Sequence, residues 1–190
     1  MNKLLVTLLF CIAGLAHAAA DIAGVKYEDK TKLDAAELQF NGAGLRSKLF
    51  LKVYAIGLYL PEKKTAAADV LALSGPKRLH IVTLRELTAE QFADALVGGI
   101  RKNHTDAEMA ALKDRIEEFR LAILSVKTTA KGTLVTIDWL PESGTRLSID
   151  GKPQGKDIAG ADFYRALLQI WLGQKPAQDD LKDALLGKPQ

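Results

Sequence analysis

Residues 49–60 constrain this chain more than any other stretch. Leu49, Phe50, Leu51, Val53, Tyr54, Ile56, Leu58 and Tyr59 are nearly all strand formers, and both alternating sets are largely apolar. A strand of that kind belongs near the centre of a sheet and is covered on both faces. Pro61 ends it. Such a strand demands a core, and the composition supplies one: 48% of the 190 residues are apolar and 26% charged. Those are the proportions of an ordinary globular chain with one domain.

The other elements come in blocks. Glu37-Leu38-Gln39-Phe40 alternates and runs into Asn41-Gly42, a pair that signals a tight turn because both residues tolerate positive φ. A short helix over residues 66–73 closes at Ser74-Gly75-Pro76, and residues 77–85 alternate around Leu79, Ile81 and Val82 as a further strand. Thr88 opens a helix with Phe92, Ala95, Leu96, Gly99 and Ile100 on one face. Thr105-Asp106-Ala107-Glu108 is a capping box, and the helix behind it carries Met109, Leu112, Ile116, Phe119 and Ile123 on one side. Strands follow at 133–140 and 145–149, joined through Pro141-Glu142-Ser143-Gly144. Helices at 161–172, stopping at Gly173, and at 179–186 complete the chain. Blocks of this kind, without strict strand–helix alternation, predict an α+β fold with an antiparallel sheet.

Residues 1–20 read as a secretory signal peptide. Met1-Asn2-Lys3 gives a positive start, residues 4–16 are apolar, and Ala16-His17-Ala18-Ala19-Ala20 offers small residues at cleavage spacing. The apolar run is too short to span a bilayer comfortably. Cleavage near Ala18 or Ala20 leaves a domain over 21–190 with no transmembrane segment. Cys11 is the single cysteine and lies in the leader, so disulfides and thiolate metal sites are excluded. A secreted domain without disulfides fits a periplasmic or secreted location.

Chemistry-bearing motifs are scarce. The net charge of +3 is dispersed, without the basic stripe of a nucleic-acid binder. His80 and His104 are far apart and lack zinc-type spacing. Gly42-Ala43-Gly44 lacks the third glycine of a phosphate loop and leads into a strand. No cofactor or metal is therefore expected. Glu117-Glu118 and Asp179-Asp180 read as solvated helix faces, and Trp139 and Trp171 as packing residues. What stands out is Arg46, with Lys52, in an otherwise apolar stretch over 38–60. A charge near a covered sheet needs a partner. Either Asp34 or Glu37 supplies it, or the arginine sits at the mouth of an apolar pocket and grips a ligand carboxylate.

Phe40-Asn41-Gly42-Ala43-Gly44-Leu45-Arg46, followed by Lys52-Val53-Tyr54-Ala55-Ile56-Gly57-Leu58-Tyr59-Leu60, resembles the chalcone isomerase-like family. Glu86-Leu87-Thr88 leading to Phe92, and the helix ending Trp171-Leu172-Gly173, are similar too. The resemblance implies an open-faced sandwich, with a large antiparallel sheet and a layer of helices around an apolar cleft. Family enzymes cyclise a chalcone with an arginine, a strand threonine, and a helix tyrosine and asparagine; a late hydroxyl helps set substrate preference. By position the arginine is Arg46, the threonine becomes Tyr54, the tyrosine Phe92, the asparagine Gly99, and the late hydroxyl falls near Ile170. Phe92 has no hydroxyl and Gly99 no amide, so the polar network of cyclisation is dismantled.

Non-catalytic members of the family bind fatty acids, with an arginine and a tyrosine on the carboxylate, and Arg46 with Tyr54 resembles that pairing better. The resemblance thus implies a small amphipathic carboxylate ligand, its head at Arg46 and Tyr54 and its tail along Phe92, Leu96, Gly99 and Ile170. The alternatives are an intramolecular lyase acting on an enone-like substrate, with Arg46 and Tyr54 as its catalytic groups, and an envelope protein-interaction module with a filled core. The shared head group carries a geometric condition. Eight residues of straight strand span about 26 Å, so the chain must bend or reverse near Ser47-Lys48 for Arg46 and Tyr54 to meet.

Overall fold

A strand buried on both faces must satisfy its backbone through neighbours on both edges, and the sheet is built around that need. In the computed structural model, which describes residues 18–126 and 128–188, the elements run β1 (Ala18–Ile22), β2 (Val25–Glu28), β3 (Lys30–Leu33), β4 (Ala36–Lys48), β5 (Leu51–Leu60), α1 (Ala67–Ala72), β6 (Lys77–Thr83), β7 (Leu87–Thr88) and α2 (Ala89–Lys102). They continue with α3 (Asp106–Leu124), β8 (Thr128–Thr129), β9 (Leu134–Leu140), β10 (Gly144–Ile149), β11 (Lys152–Pro153), α4 (Ala161–Leu172) and α5 (Asp179–Leu185). Seven strands form one sheet in the order β11-β10-β9-β6-β5-β4-β3, and every neighbouring pair is antiparallel. The expected leader lies outside the described residues except for Ala18–Ala20, which belong to β1.

β5 is buried from Tyr54 through Leu60. Tyr54, Ile56, Leu58 and Leu60 face the helices in one core cluster. Ala55 and Tyr59 face a second cluster with Tyr27, Leu33, Leu38 and Leu140. The β1–β2 hairpin covers this second face, an arrangement the sequence reading did not include. Gly57 makes the cover possible, because a Cβ there would stand 2.6 Å from the Tyr27 ring. The α+β architecture, a large antiparallel sheet with a helical layer, is the one expected.

The helices begin where the sequence places them. Thr105 accepts from the Glu108 backbone N–H while the Glu108 carboxylate accepts from the Thr105 N–H, and the five apolar residues of the α3 face are all buried. Thr88 and Gln91 form a second such box ahead of α2. The buried face of α2 is Ala89, Phe92, Ala93, Leu96 and Ile100. Ala95, expected on that face, is exposed.

Two expectations about the β4–β5 region are overturned together. Asn41-Gly42 does not turn the chain; it lies inside β4, where the register slips between Phe40 and Gly42 and leaves Asn41 as a bulge. The buried Asn41 amide donates to Leu185 O at 2.7 Å and Lys64 O at 2.9 Å, and its carbonyl accepts from Lys64 N at 2.7 Å. Gly42 lies against the end of α5, where a Cβ would collide with the backbone of Ala184 and Leu185. The pair with the strongest turn signal is thus spent on docking a helix. The reversal falls instead at Leu49-Phe50, which the sequence assigned to the strand, with φ of 49° and 64° between the partners Lys48 and Leu51. Left-handed backbone costs an L residue about 1–2 kcal/mol, and two-residue hairpins normally place Asn or Gly there.

Candidate functional site

The reversal meets the geometric condition. With the chain turned at Leu49-Phe50, Arg46 and Tyr54 become direct Cα partners across β4 and β5. Residues so paired carry side chains on the same face within contact of each other, and this face is the helix-covered one, since Tyr54 belongs to the helix-side core. Just beyond, Val53 is an extra residue on β5, where the register shifts between Arg46 and Ser47.

Neither carboxylate offered as a partner reaches Arg46. Glu37 binds Lys30 at 2.6 Å, and Asp34 lies 3.8 Å from Arg146. The Arg46 hydrogen bonds go to neutral oxygens: Nη1 donates to Ser47 O at 2.6 Å and to Gln178 Oε1 at 3.1 Å. Gln178 also accepts from Ser47 N at 3.0 Å and donates to Leu45 O at 3.3 Å. The residue before α5 therefore brackets the three β4 residues around Arg46. Both of these bonds leave from Nη1, the guanidinium also stands beside the Tyr54 hydroxyl, and no carboxylate neutralises it among the described residues.

Tyr54 is buried, and its hydroxyl oxygen accepts from Trp171 Nε1 at 2.9 Å. Burial pushes the phenol pKa up, opposed by the Trp171 hydrogen bond and by Arg46 beside it. The phenol is thus neutral at physiological pH. An indole N–H only donates, so this bond uses a lone pair and leaves the phenolic proton free to donate elsewhere. Trp171, expected merely to pack, orients this hydroxyl. Thr83, the Cα partner of Tyr54 on β6, is committed: its hydroxyl donates to Ala130 O at 2.6 Å.

The proposed tail residues come together, but as closed packing. Phe92 and Leu96 on α2 and Ile170 on α4 are all buried in the helix-side core. Gly99 faces Ile170 so closely that a Cβ would lie 2.7 Å from its Cγ2. Two cavities of about 320 Å³ lie elsewhere. One, between α1, α4 and the start of β6, is lined by Lys77, Trp139, Tyr164 and Arg165. There burial and the nearby Arg165 lower the Lys77 pKa to about 8. The other, on the far face of the sheet, contains Arg78, Asp138 and Arg146. Among the described residues there is no group of three or more potential metal ligands.

A family model described as chalcone isomerase-like matches residues 19–187. The chain belongs to the chalcone isomerase-like family. A solved member of the same fold, a fatty-acid binding protein of Arabidopsis thaliana, superposes with a TM-score of 0.65 at 14% identity, covering 86% of this chain and 92% of that one. No curated protein matches the chain. Within the family's sheet-and-helix frame, Arg46 and Tyr54 sit on the paired strands β4 and β5, whereas Gln178 comes from the segment between α4 and α5. Nothing about Gln178 in the linear sequence marked it out, because its partners lie 131 to 133 residues away.

Proposed function

We propose that this protein binds a fatty acid or similar amphipathic carboxylate, with the head group held by Arg46 and Tyr54. The observation that carries the reading is an arginine with no carboxylate partner among the described residues, set directly opposite a neutral phenol on the helix-covered face. Guanidinium and phenol together offer an anion a charge-assisted fork and a neutral donor. The Arabidopsis relative in fold is itself a fatty-acid binding protein, which agrees with this choice of ligand class. The tail would enter between α2 and α4 at Gly99 and Ile170, where only a glycine separates the helices, along the layer formed by Phe92 and Leu96. Binding therefore requires these helices to part.

The closed layer favours a second reading, a protein-interaction module whose core is filled. A titration with a fluorescent long-chain fatty acid separates the two. Saturable binding by the wild type, reduced at least about tenfold in Arg46→Gln, supports the carboxylate site; a folded wild type that binds neither the acid nor its methyl ester favours the module. Equal affinity for acid and ester would refute Arg46 as the head-group site.

We also propose, from the leader pattern over residues 1–20, that the protein is periplasmic or secreted after cleavage. Cleavage after Ala18 removes one pair of β1, Ala18 with Glu28, whereas cleavage after Ala20 also removes Ala20 with Tyr27, so the first costs the fold less. N-terminal sequencing of the secreted protein tests this, with Ala19 expected as the first residue.

A further inference from the structure

Leu49 is 82% exposed, Phe50 103% and Leu51 53%; the only other large apolar side chain so exposed among the described residues is Leu121. Three of these four residues are consecutive, and they form the tip of the β4–β5 hairpin. Leu49 and Phe50 also take the two left-handed positions of the turn, where Asn-Gly would be unstrained. Backbone strain and loss of burial thus fall on the same two residues, so neither folding nor turn formation explains their identity. Exposed apolar clusters of this kind mark interaction surfaces.

Charge identifies the partner. Lys48 and Lys52 flank the tip, both exposed, while the ion-paired lysines among the described residues are Lys30, Lys64 and Lys188. From Leu38 to Pro61 the hairpin carries Arg46, Lys48 and Lys52 and no carboxylate. An apolar point flanked by a lysine on each strand matches the surface of an anionic bilayer, with acyl chains below and negative head groups around. A protein partner for Leu, Phe and Leu would need a concave apolar socket; a bilayer needs only depth.

We propose that the β4–β5 tip docks this protein onto an anionic lipid bilayer, with Leu49, Phe50 and Leu51 entering the interface and Lys48 and Lys52 on the head groups. Docking stands on the tip alone and does not require the fatty-acid reading. If both hold, the tip brings Arg46, three residues before Leu49, to the membrane surface.

The test is co-sedimentation of residues 18–190, which contain every described element, with two kinds of vesicle: phosphatidylcholine alone, and phosphatidylcholine mixed equally with phosphatidylglycerol. The wild type is expected to pellet with the anionic vesicles and to stay in solution with the neutral ones. The double substitution Leu49→Asn with Phe50→Gly supplies ideal turn residues, so its melting temperature should be unchanged or higher, and its vesicle binding should fall at least about tenfold. Lys48→Gln with Lys52→Gln should lose about fivefold per lysine and most of the salt dependence. Anionic vesicles that fail to pellet the wild type, or that pellet the turn variant equally well, would overturn the proposal. So would a wild-type dimer in sedimentation analysis that the turn variant abolishes, because the tip would then be covered by a second copy. Fatty-acid titration in solution should be the same for wild type and turn variant, which separates failure of docking from failure of the ligand site.

Discussion

Arg46 and Arg78 stand on opposite faces of one sheet and are treated in opposite ways. On the far face, Arg78 donates from Nε and Nη2 to the two oxygens of Asp138, each at 2.8 Å, and from Nη1 to Lys32 O at 3.1 Å and Thr31 Oγ1 at 3.3 Å. All three of its nitrogens are used, and its carboxylate partner is buried. Arg46 uses one nitrogen on two neutral oxygens. An arginine neutralised by a buried carboxylate holds a sheet together; one without such a partner among the described residues, beside a neutral phenol, is placed to hold something else. Arginine content alone would not separate the two, but the oxygens that surround each of them do.

The sharpest way to break that contrast is Arg78→Met, which strands Asp138 as a buried carboxylate without its hydrogen-bonded cation. Chemical denaturation should show a loss of about 3–5 kcal/mol, with most of it restored when Asp138→Leu is added. Arg46→Gln should cost less in the same experiment, about 1–2 kcal/mol, because no buried carboxylate is left behind and Gln178 keeps its bonds to Ser47 N and Leu45 O. Its effect should fall on fatty-acid affinity instead. A large stability loss from Arg46→Gln would make it a second structural arginine and end the distinction.

Lys77 provides an intermediate case: it is 4% exposed, and its ammonium donates to Gly75 O at 3.2 Å. Its pKa falls from 10.5 to about 8, through burial first and Arg165 second. Between those values the unfolded chain keeps a proton that the native state has shed, so stability should rise as pH climbs from about 8 to 10.5. Lys77→Met should flatten that slope and add about 1–2 kcal/mol at neutral pH. The smallest effect belongs to His80, packed against the rings of Tyr27 and Tyr59, whose pKa drops from 6.5 to about 4 through burial and then Arg78. Stability should fall as pH drops across that window, and His80→Gln should weaken the dependence.

Much of the fold was legible because its signals are local. The capping box at Thr105, the apolar face of α3 and the stop at Gly173 each depend on residues within a few positions of one another, and each lies where the pattern put it. The centre of the sheet was legible from β5 for the same reason. The hairpin was misread because turn chemistry is also local, and here the tertiary structure overrides it: Asn41-Gly42 is taken by the end of α5, and the turn passes to two residues with no preference for it. The pairing of Arg46 with Tyr54 could be stated only as a condition. Gln178 and the role of Trp171 could not be stated at all, because contacts 117 to 133 residues apart leave no trace in spacing.

The Asn41–Leu185 hydrogen bond spans 144 residues and the Arg46–Gln178 bond 132. A chain made from its N-terminus therefore emerges with the β4–β5 hairpin long before the segment that clasps it. Contacts of such separation form late and slowly. Until residue 185 is free of the machinery that makes or exports it, Gly42 has nothing packed against it and Arg46 has no bracket. The part of the molecule with the clearest binding chemistry is also the last to be completed, so a nascent or half-exported chain carries the cation without the site.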